Sequence, residues 1–188
     1  MNILATDLAS DDPSAQAWRS TNQHAGVLTA LHIPHLVSKE MFEASVQFQP
    51  ADMRDLATFP KGAFDFVWSS CAMEHLGSIE AGIRFVIESS DLLKPGGVGV
   101  HTTEFNVASL EHTLEQDDNV IYLRKHIESL DGELRKREKC LAELDFFAGD
   151  GEHDRRFDVP PYYQAGRQHV KLQMGGHIAT SMMLIVLA

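Results

Sequence analysis

Two spacings of apolar residues alternate along this chain. Asn2–Leu8 is a short apolar run that ends in Asp7 and is followed by Ser10, Asp11, Asp12 and Pro13. This reads as a strand and then a helix start, with proline near the first turn. Residues 14–24 are expected to form that helix, and Ser38 with Met41 and Phe42 suggests a second short one. Val46–Met53 alternates apolar and polar residues as a strand does, with Pro50 pushing it toward a sheet edge. Phe64–Ser70 has the compact apolar character of a buried strand. Ile79, Ile83, Val86, Ile87 and Leu93 fall at helical spacing, and Lys94-Pro95-Gly96-Gly97 is expected to end that helix sharply. Val98–Thr103 is the next strand. Leu123–Lys139 is the strongest helix, with Ile127, Leu130 and Leu134 on one side. Cys140–Phe147 is expected to be a strand, and Thr180–Leu187 a buried closing strand. Between them, residues 149–176 are polar and broken by Pro160, Pro161 and Gly166, the character of a functional or mobile connection.

Strands alternating with helices predict an α/β fold with a mostly parallel sheet. Ligands of such sheets sit beyond the carboxyl ends of the strands. The residues to inspect are therefore Asp7, Asp52 with Met53, Ser69 to His75, and Thr102 to Asn106.

Composition narrows the partners. The 188 residues suit a single domain, read as 1–188 with 149–176 as a long loop or lid, and folding at this size buries roughly 70% of the unfolded chain's surface. The net charge of -11 argues against a nucleic-acid partner, which needs a basic face, and against an anionic membrane surface. The run Arg135, Lys136, Arg137, Lys139 lies among Glu133 and Glu138 and reads as a solvated helix face. Two cysteines, Cys71 and Cys140, form no CxxC and imply no disulfide framework. The N-terminus lacks the pattern of a signal peptide, and the apolar run from Met182 to Ala188 is too short to span a bilayer. A cytoplasmic location is the simplest expectation. Despite 10 histidines there is no HExxH, and no metal is expected.

The segment Phe64–Asn106 resembles the second half of a class I S-adenosylmethionine-dependent methyltransferase. FDFVWSS followed by MEHL looks like the family's fourth strand and its exit, LLKPGG like the punctuation before the fifth strand, and VGVHTTEFN like that strand and its exit loop. Upstream, ATDL and PADMRDL fit the second-strand acid and the third-strand motif. The resemblance implies a Rossmann-like three-layer sandwich, S-adenosylmethionine as cofactor, and methyl transfer to a small-molecule O or N acceptor. The family's Gly-rich loop should stand roughly 20 residues before ATDL, by analogy with the dinucleotide-binding fingerprint, yet only Met1 to Thr6 precede Asp7. The chain is thus expected to begin at the family's second strand, lacking the first strand and helix, as a truncated product, an internal start or a degenerate member. The gap is expected to be compensated by direct closure of the sheet or by homodimerisation through an open edge.

On this resemblance Asp7, with Leu8 beside it, grips the ribose hydroxyls, the alternative being an N-cap for the following helix. Asp52 and Met53 meet the adenine, or are a turn acid and a core methionine. Ser69, Ser70 and Cys71 approach the methionine end of the cofactor, or form a packed turn in which Cys71 is a small buried hydrophobe. His75 is the candidate general base and Glu74 its orienting partner, against a first-turn stabilising role for the pair. His101 alternates inward and reads as a satisfied core histidine, while Glu104 faces the acceptor. Asp154, Arg155, Arg156, Asp158, Tyr162, Tyr163, His169 and Lys171 make an acceptor cover or a plain surface loop. Two other readings remain: a non-catalytic methyltransferase-like protein with weak or no cofactor binding, and a nicotinamide-dependent dehydrogenase. The second requires a GxGxxG that the chain does not contain.

Overall fold

The structure is a computed structural model that describes residues 2–20, 23–116 and 119–188. The chain divides into two compact units, Met1–Leu56 and Ala57–Ala188. The first unit holds strand β1 (Ile3–Asp7), helix α1 (Ala15–Ser20), helix α2 (Lys39–Ser45) and strand β2 (Val46–Pro50). The helix expected over 14–24 is described as far as Ser20, and residues 21 and 22 of that expectation lie outside the described residues. Ser38 caps α2, its Oγ accepting the Met41 amide at 3.3 Å. β1 and β2 run parallel, in register from Ile3 with Val46 to Asp7 with Pro50. The Ala51 amide extends the ladder by donating to the Asp7 carbonyl at 2.8 Å, so Asp7 and Asp52 stand at the same end of the pair.

The second unit contains β3 (Phe64–Ser70), α3 (Ile79–Ser90), β4 (Leu93–Asn106), the short pair β5 (Glu115–Gln116) and β6 (Asn119–Val120), α4 (Arg124–Arg135), β7 (Cys140–Leu141), β8 (Lys171–Met174) and β9 (His177–Leu187). Its main sheet has the order β3-β4-β9-β7, with β8 on β9. β3 and β4 are parallel, whereas β9 runs antiparallel to β4, β7 and β8. β1 and β2 form a two-stranded sheet in the first unit, and β3 is an end strand of the second unit's sheet.

Helical periodicity is borne out where it was strongest. Ser78 Oγ caps α3 by accepting the Ala81 amide at 3.0 Å, and Phe85 and Val86 are buried. On α4, Ile127, Leu130 and Leu134 are fully buried while the charged positions remain outside. α3 packs on β4 and α4, and α4 packs on α3 and β7. Burying each such aliphatic side chain contributes about 1.5–3 kcal/mol. One face of the sheet therefore meets helices through Gly99, His101, Thr103, Leu184 and Val186, all buried. The other face carries Phe66, Trp68, Met183 and Leu187, which stay substantially exposed.

Three local expectations need correction. Lys94-Pro95-Gly96-Gly97 does not end the helix: α3 stops at Ser90, and these residues form the irregular start of β4, with a register shift against β3 between Phe64 and Phe66. Gly96 takes φ +79° there, a conformation that favours glycine. Cys140–Phe147 is strand only at Cys140 and Leu141, the ladder with β9 ending at the Ala142 amide, which donates to the Ile185 carbonyl at 2.8 Å. Cys71 is not a small buried hydrophobe but an exposed residue at φ +44°.

Candidate active site

In the first unit, the Asp7 carboxylate is held by backbone. Oδ1 accepts the Leu8 amide at 2.8 Å and Oδ2 the Ala25 amide at 2.9 Å. His24 lies 3.8 Å away and its Nε2 meets the Leu8 carbonyl at 2.9 Å. The carboxylate thus anchors the 24–25 segment rather than capping α1. One bond per oxygen still leaves each a lone pair for a hydroxyl, and the side chain is 30% exposed. Asp52 is committed more fully: Arg54 grips it in a fork, Nε and Nη2 at 2.9 and 2.7 Å. That hydrogen bonding holds the Asp52 carboxyl below its ordinary range. With both oxygens engaged, Asp52 has little capacity left for an adenine amino group, so the backbone beside Met53 becomes the better contact.

The second unit gathers its polar groups where β3 and β4 end. Cys71 closes the turn after β3, its amide donating to the Thr102 carbonyl at 3.1 Å and to Thr102 Oγ1 at 2.9 Å. Ser70 Oγ accepts from Thr102 Oγ1 at 3.5 Å. Ser69 turns to the helix-covered face, where its Oγ lies 2.8 Å from His101 Nδ1. Of the three, Ser69 can therefore offer a cofactor its backbone only. His101 is the satisfied core histidine expected, with Ser89 at 3.4 Å and the Phe85 ring edge-on at 5.4 Å. Burial pushes its pKa down to about 4.

Glu74 sits in a single 3-10 turn, Met73–His75, and is 1% exposed. Its Oε2 accepts Thr103 Oγ1 at 3.0 Å. Burial pushes its pKa up to about 6. Glu104, from the end of β4, is also raised, by burial first and then by the Glu74 charge, while His75 and His169 act in the opposite sense. Its Oε2 is buried without a hydrogen-bond partner among the described residues. Cys71 Sγ and the Glu74 and Glu104 carboxylates lie within 4.8 Å of one another, a thiol and two acids able to grip a cation, although no metal was expected. The structure thus brings Cys71, Glu74 and Glu104 together, with His75 following Glu74 in the same turn.

Sequence reading placed Thr103 next to the site but gave it no role, and it missed the buried Tyr122, whose hydroxyl donates to the Met73 carbonyl at 3.4 Å. The two meet closely at Gly82, where a Cβ would stand 1.8 Å from the Tyr122 oxygen, a juxtaposition no local sequence signal announces. Beyond β4, a groove of about 270 Å³ is lined by Phe105, Asn106, Leu110, Arg124 and Phe146 among others, with the Arg124 guanidinium 4.8 Å over the Phe146 ring.

Comparison with known proteins gives the arrangement a context. Residues 14–101 match the family described as methyltransferase domain. No curated protein matches the chain in sequence. Among solved structures, an S-adenosylmethionine-dependent methyltransferase from Mesorhizobium loti is 12% identical, covering 100% of this chain and 80% of that one, with a TM-score of 0.51. One from Methanosarcina mazei is 13% identical over 99% of this chain and 81% of that one, with the same TM-score of 0.51. The cyclase SpnF is 16% identical over 77% of this chain, which spans only 54% of SpnF, with a TM-score of 0.47.

Proposed function

The chain has the class I S-adenosylmethionine-dependent methyltransferase fold, and from that premise we propose that it transfers a methyl group to a small-molecule O or N acceptor. The observation that carries this reading is the acidic pair of buried Glu74 and half-buried Glu104, at the carboxyl ends of the two parallel strands of the second unit. Open α/β sheets bind ligands at such ends.

S-adenosylmethionine supplies a sulfonium-bound methyl group when bound. Asp7, with Leu8, is assigned to the ribose hydroxyls. The backbone beside Met53 is assigned to the adenine, with Asp52 a weaker contact because Arg54 occupies it. In the second unit, Ser69, Ser70 and Cys71 are assigned to the methionine portion. There the small side chains leave the turn open, and the positive φ of Cys71 turns the chain. His75 is assigned as the base that takes a proton from the acceptor, with Glu74 and Glu104 orienting that acceptor. Burial of Glu74 and of the Glu104 Oε2 atom strengthens any hydrogen bond they accept. Alignment of acceptor and methyl group supplies most of the rate in such a displacement, and a positioned base contributes roughly 10²–10⁴-fold more.

The location belongs to the same proposal: a cytoplasmic enzyme without nucleic-acid or membrane partners. Among the described residues no helix is long and apolar enough to cross a membrane. A homodimer through the outer edge of β3 belongs to the same proposal, since β3 is an end strand of the second unit's sheet. Titration calorimetry with S-adenosylmethionine and its demethylated product tests the proposal. Binding is expected, weakened at least tenfold by Asp7→Ala; absence of binding to the wild-type chain refutes it and favours the non-catalytic reading.

A further inference from the structure

Three side chains able to bind a metal converge at the exits of β3 and β4. Cys71 lies in the turn directly after β3, Glu74 in the 3-10 turn that follows it, and Glu104 near the end of β4. Cys71 Sγ and one oxygen of each carboxylate all lie within 4.8 Å of one another. No contiguous motif announces the trio, because a turn and a strand far apart in the chain supply it.

Neighbouring side chains hold two of the three groups in place. Thr103 Oγ1 donates to Glu74 Oε2 at 3.0 Å, and Thr102 Oγ1 stands 3.5 Å from Cys71 Sγ. Thr102, Thr103 and Glu104 are consecutive on β4, so one strand supplies a ligand and steadies the other two. Carboxylates that bind metals are oriented by outer hydrogen bonds of this kind. The trio also differs from a chance group of surface acids. Glu74 is buried, and Glu104 Oε2 is buried without a hydrogen-bond partner among the described residues. A carboxylate oxygen taken out of water costs free energy until a donor or a cation reaches it.

The donor set selects the ion. A thiolate favours zinc-like cations, whereas magnesium and calcium take oxygen ligands alone. Zinc accepts cysteine sulfur and glutamate oxygen, and three protein ligands leave its fourth position open. Its bond lengths separate tetrahedral ligand atoms by roughly 3.3–3.7 Å. The three groups stand within 4.8 Å, so side-chain rotations of about an ångström close them on an ion. Cys71 is exposed, which gives the ion a way in.

We propose that Cys71, Glu74 and Glu104 form a binding site for a divalent cation of the zinc class. On binding, the Cys71 thiol releases its proton to solvent, and the thiolate sulfur and one oxygen of each carboxylate donate electron pairs to the ion. The fourth position stays open to water or to an oxygen or nitrogen of another ligand. This site goes beyond the methyltransferase reading and does not depend on it.

The test uses the full chain, stripped of metal with a chelator and kept reduced. Cd²⁺ is the probe, because its bond to a thiolate gives an ultraviolet charge-transfer band. One equivalent is expected to saturate that band in the wild type and in Cys140→Ser, and Cys71→Ser is expected to show none. Competition with a chromophoric chelator is expected to find Zn²⁺ bound at least tenfold more weakly in Glu74→Gln and in Glu104→Gln, with a large excess of Mg²⁺ failing to displace it. In the wild type alone, Zn²⁺ is expected to slow alkylation of Cys71 by iodoacetamide at least tenfold, read by peptide mass. A wild type without the band, a band that survives in Cys71→Ser, unchanged Zn²⁺ affinity in either glutamine variant, displacement by Mg²⁺, or an unslowed alkylation overturns the proposal.

Discussion

Replacing Glu74 with Gln isolates the cost of holding a carboxylate in the second unit. The side chain is 1% exposed, and burial outweighs the Thr103 hydrogen bond to bring its pKa up to about 6 from 4.5. The folded chain therefore keeps the Glu74 proton where the unfolded chain has released it. Because the native state binds more protons between pH 4.5 and 6, this group's contribution to stability falls as pH rises through that window. The rise to about 6 corresponds to about 2 kcal/mol at neutral pH. Glutamine fills the same volume, accepts from Thr103 and cannot ionise. The stability of Glu74→Gln relative to wild type should thus improve by about 2 kcal/mol between pH 4 and pH 7.5. Urea denaturation at a series of pH values measures this. A Trp18→Phe background leaves Trp68 as the one tryptophan, reporting the second unit. A difference between the variants that does not change with pH would refute the reasoning, since it would mean the buried acid ionises as freely as an exposed one.

His101 acts in the opposite direction. Its pKa is depressed to about 4, so its contribution to stability is present above pH 6.5 and is lost as pH falls toward 4, by about 3 kcal/mol; His101→Gln should flatten the acid limb of the same denaturation series. Gly82→Ala should destabilise by about 1–3 kcal/mol through overpacking against the Tyr122 hydroxyl, and Tyr122→Phe should recover part of that loss in thermal melts. His75→Ala should lower turnover by about 10²-fold or more while leaving the calorimetric affinity for S-adenosylmethionine within about twofold, the pattern of a lost general base. An unchanged rate returns His75 to a structural role. Asp52→Asn should weaken cofactor binding less than Asp7→Ala, because Arg54 already occupies the Asp52 carboxylate; the reverse order in calorimetry would exchange their roles.

How much of the fold was legible depended on whether a local signal and a tertiary partner agreed. Ile127, Leu130 and Leu134 spell one helix face, and the helix packs by that face. FDFVWSS and VGVHTT each carry enough apolar, β-prone residues to fix their strands wherever they pair. The errors lie where pairing decides. Residues 140–147 are as apolar as many strands, but a strand exists only where a neighbour supplies hydrogen bonds, and the ladder with β9 covers Cys140 and Leu141 and ends at the Ala142 amide, which donates to the Ile185 carbonyl at 2.8 Å. The Lys94-Pro95-Gly96-Gly97 stretch has the composition of a helix stop. It is drawn instead into the edge of β4, where the Gly96 amide donates to the terminal Ala188 carbonyl at 2.7 Å, a partner 92 positions away in the chain.

The candidate site divides along the same line. Glu74, His75 and Glu104 could be proposed from the sequence because strand ends are where such sheets bind ligands, and position along the chain locates a strand end. Nothing local announces the partner of a side chain. Ser69 and Ser70 are adjacent and alike, yet alternation along β3 sends Ser69 to His101 beneath the helices and Ser70 to Thr102 on the other face. Asp52 looks as free as Asp7 until the fork from Arg54 is seen. The pairing of Asp158 with His169 is the extreme case, because each belongs to a loop whose path only β8 and β9 define. In a polar segment of this length, composition cannot separate a solvated acid from a buried one. What separates them is that a buried carboxylate must be paid for with donors, and here two amides, an arginine and a histidine converge on Asp158. A convergence of that kind on one acid, in a segment with so little regular structure, marks the place where the chain holds an imidazole still.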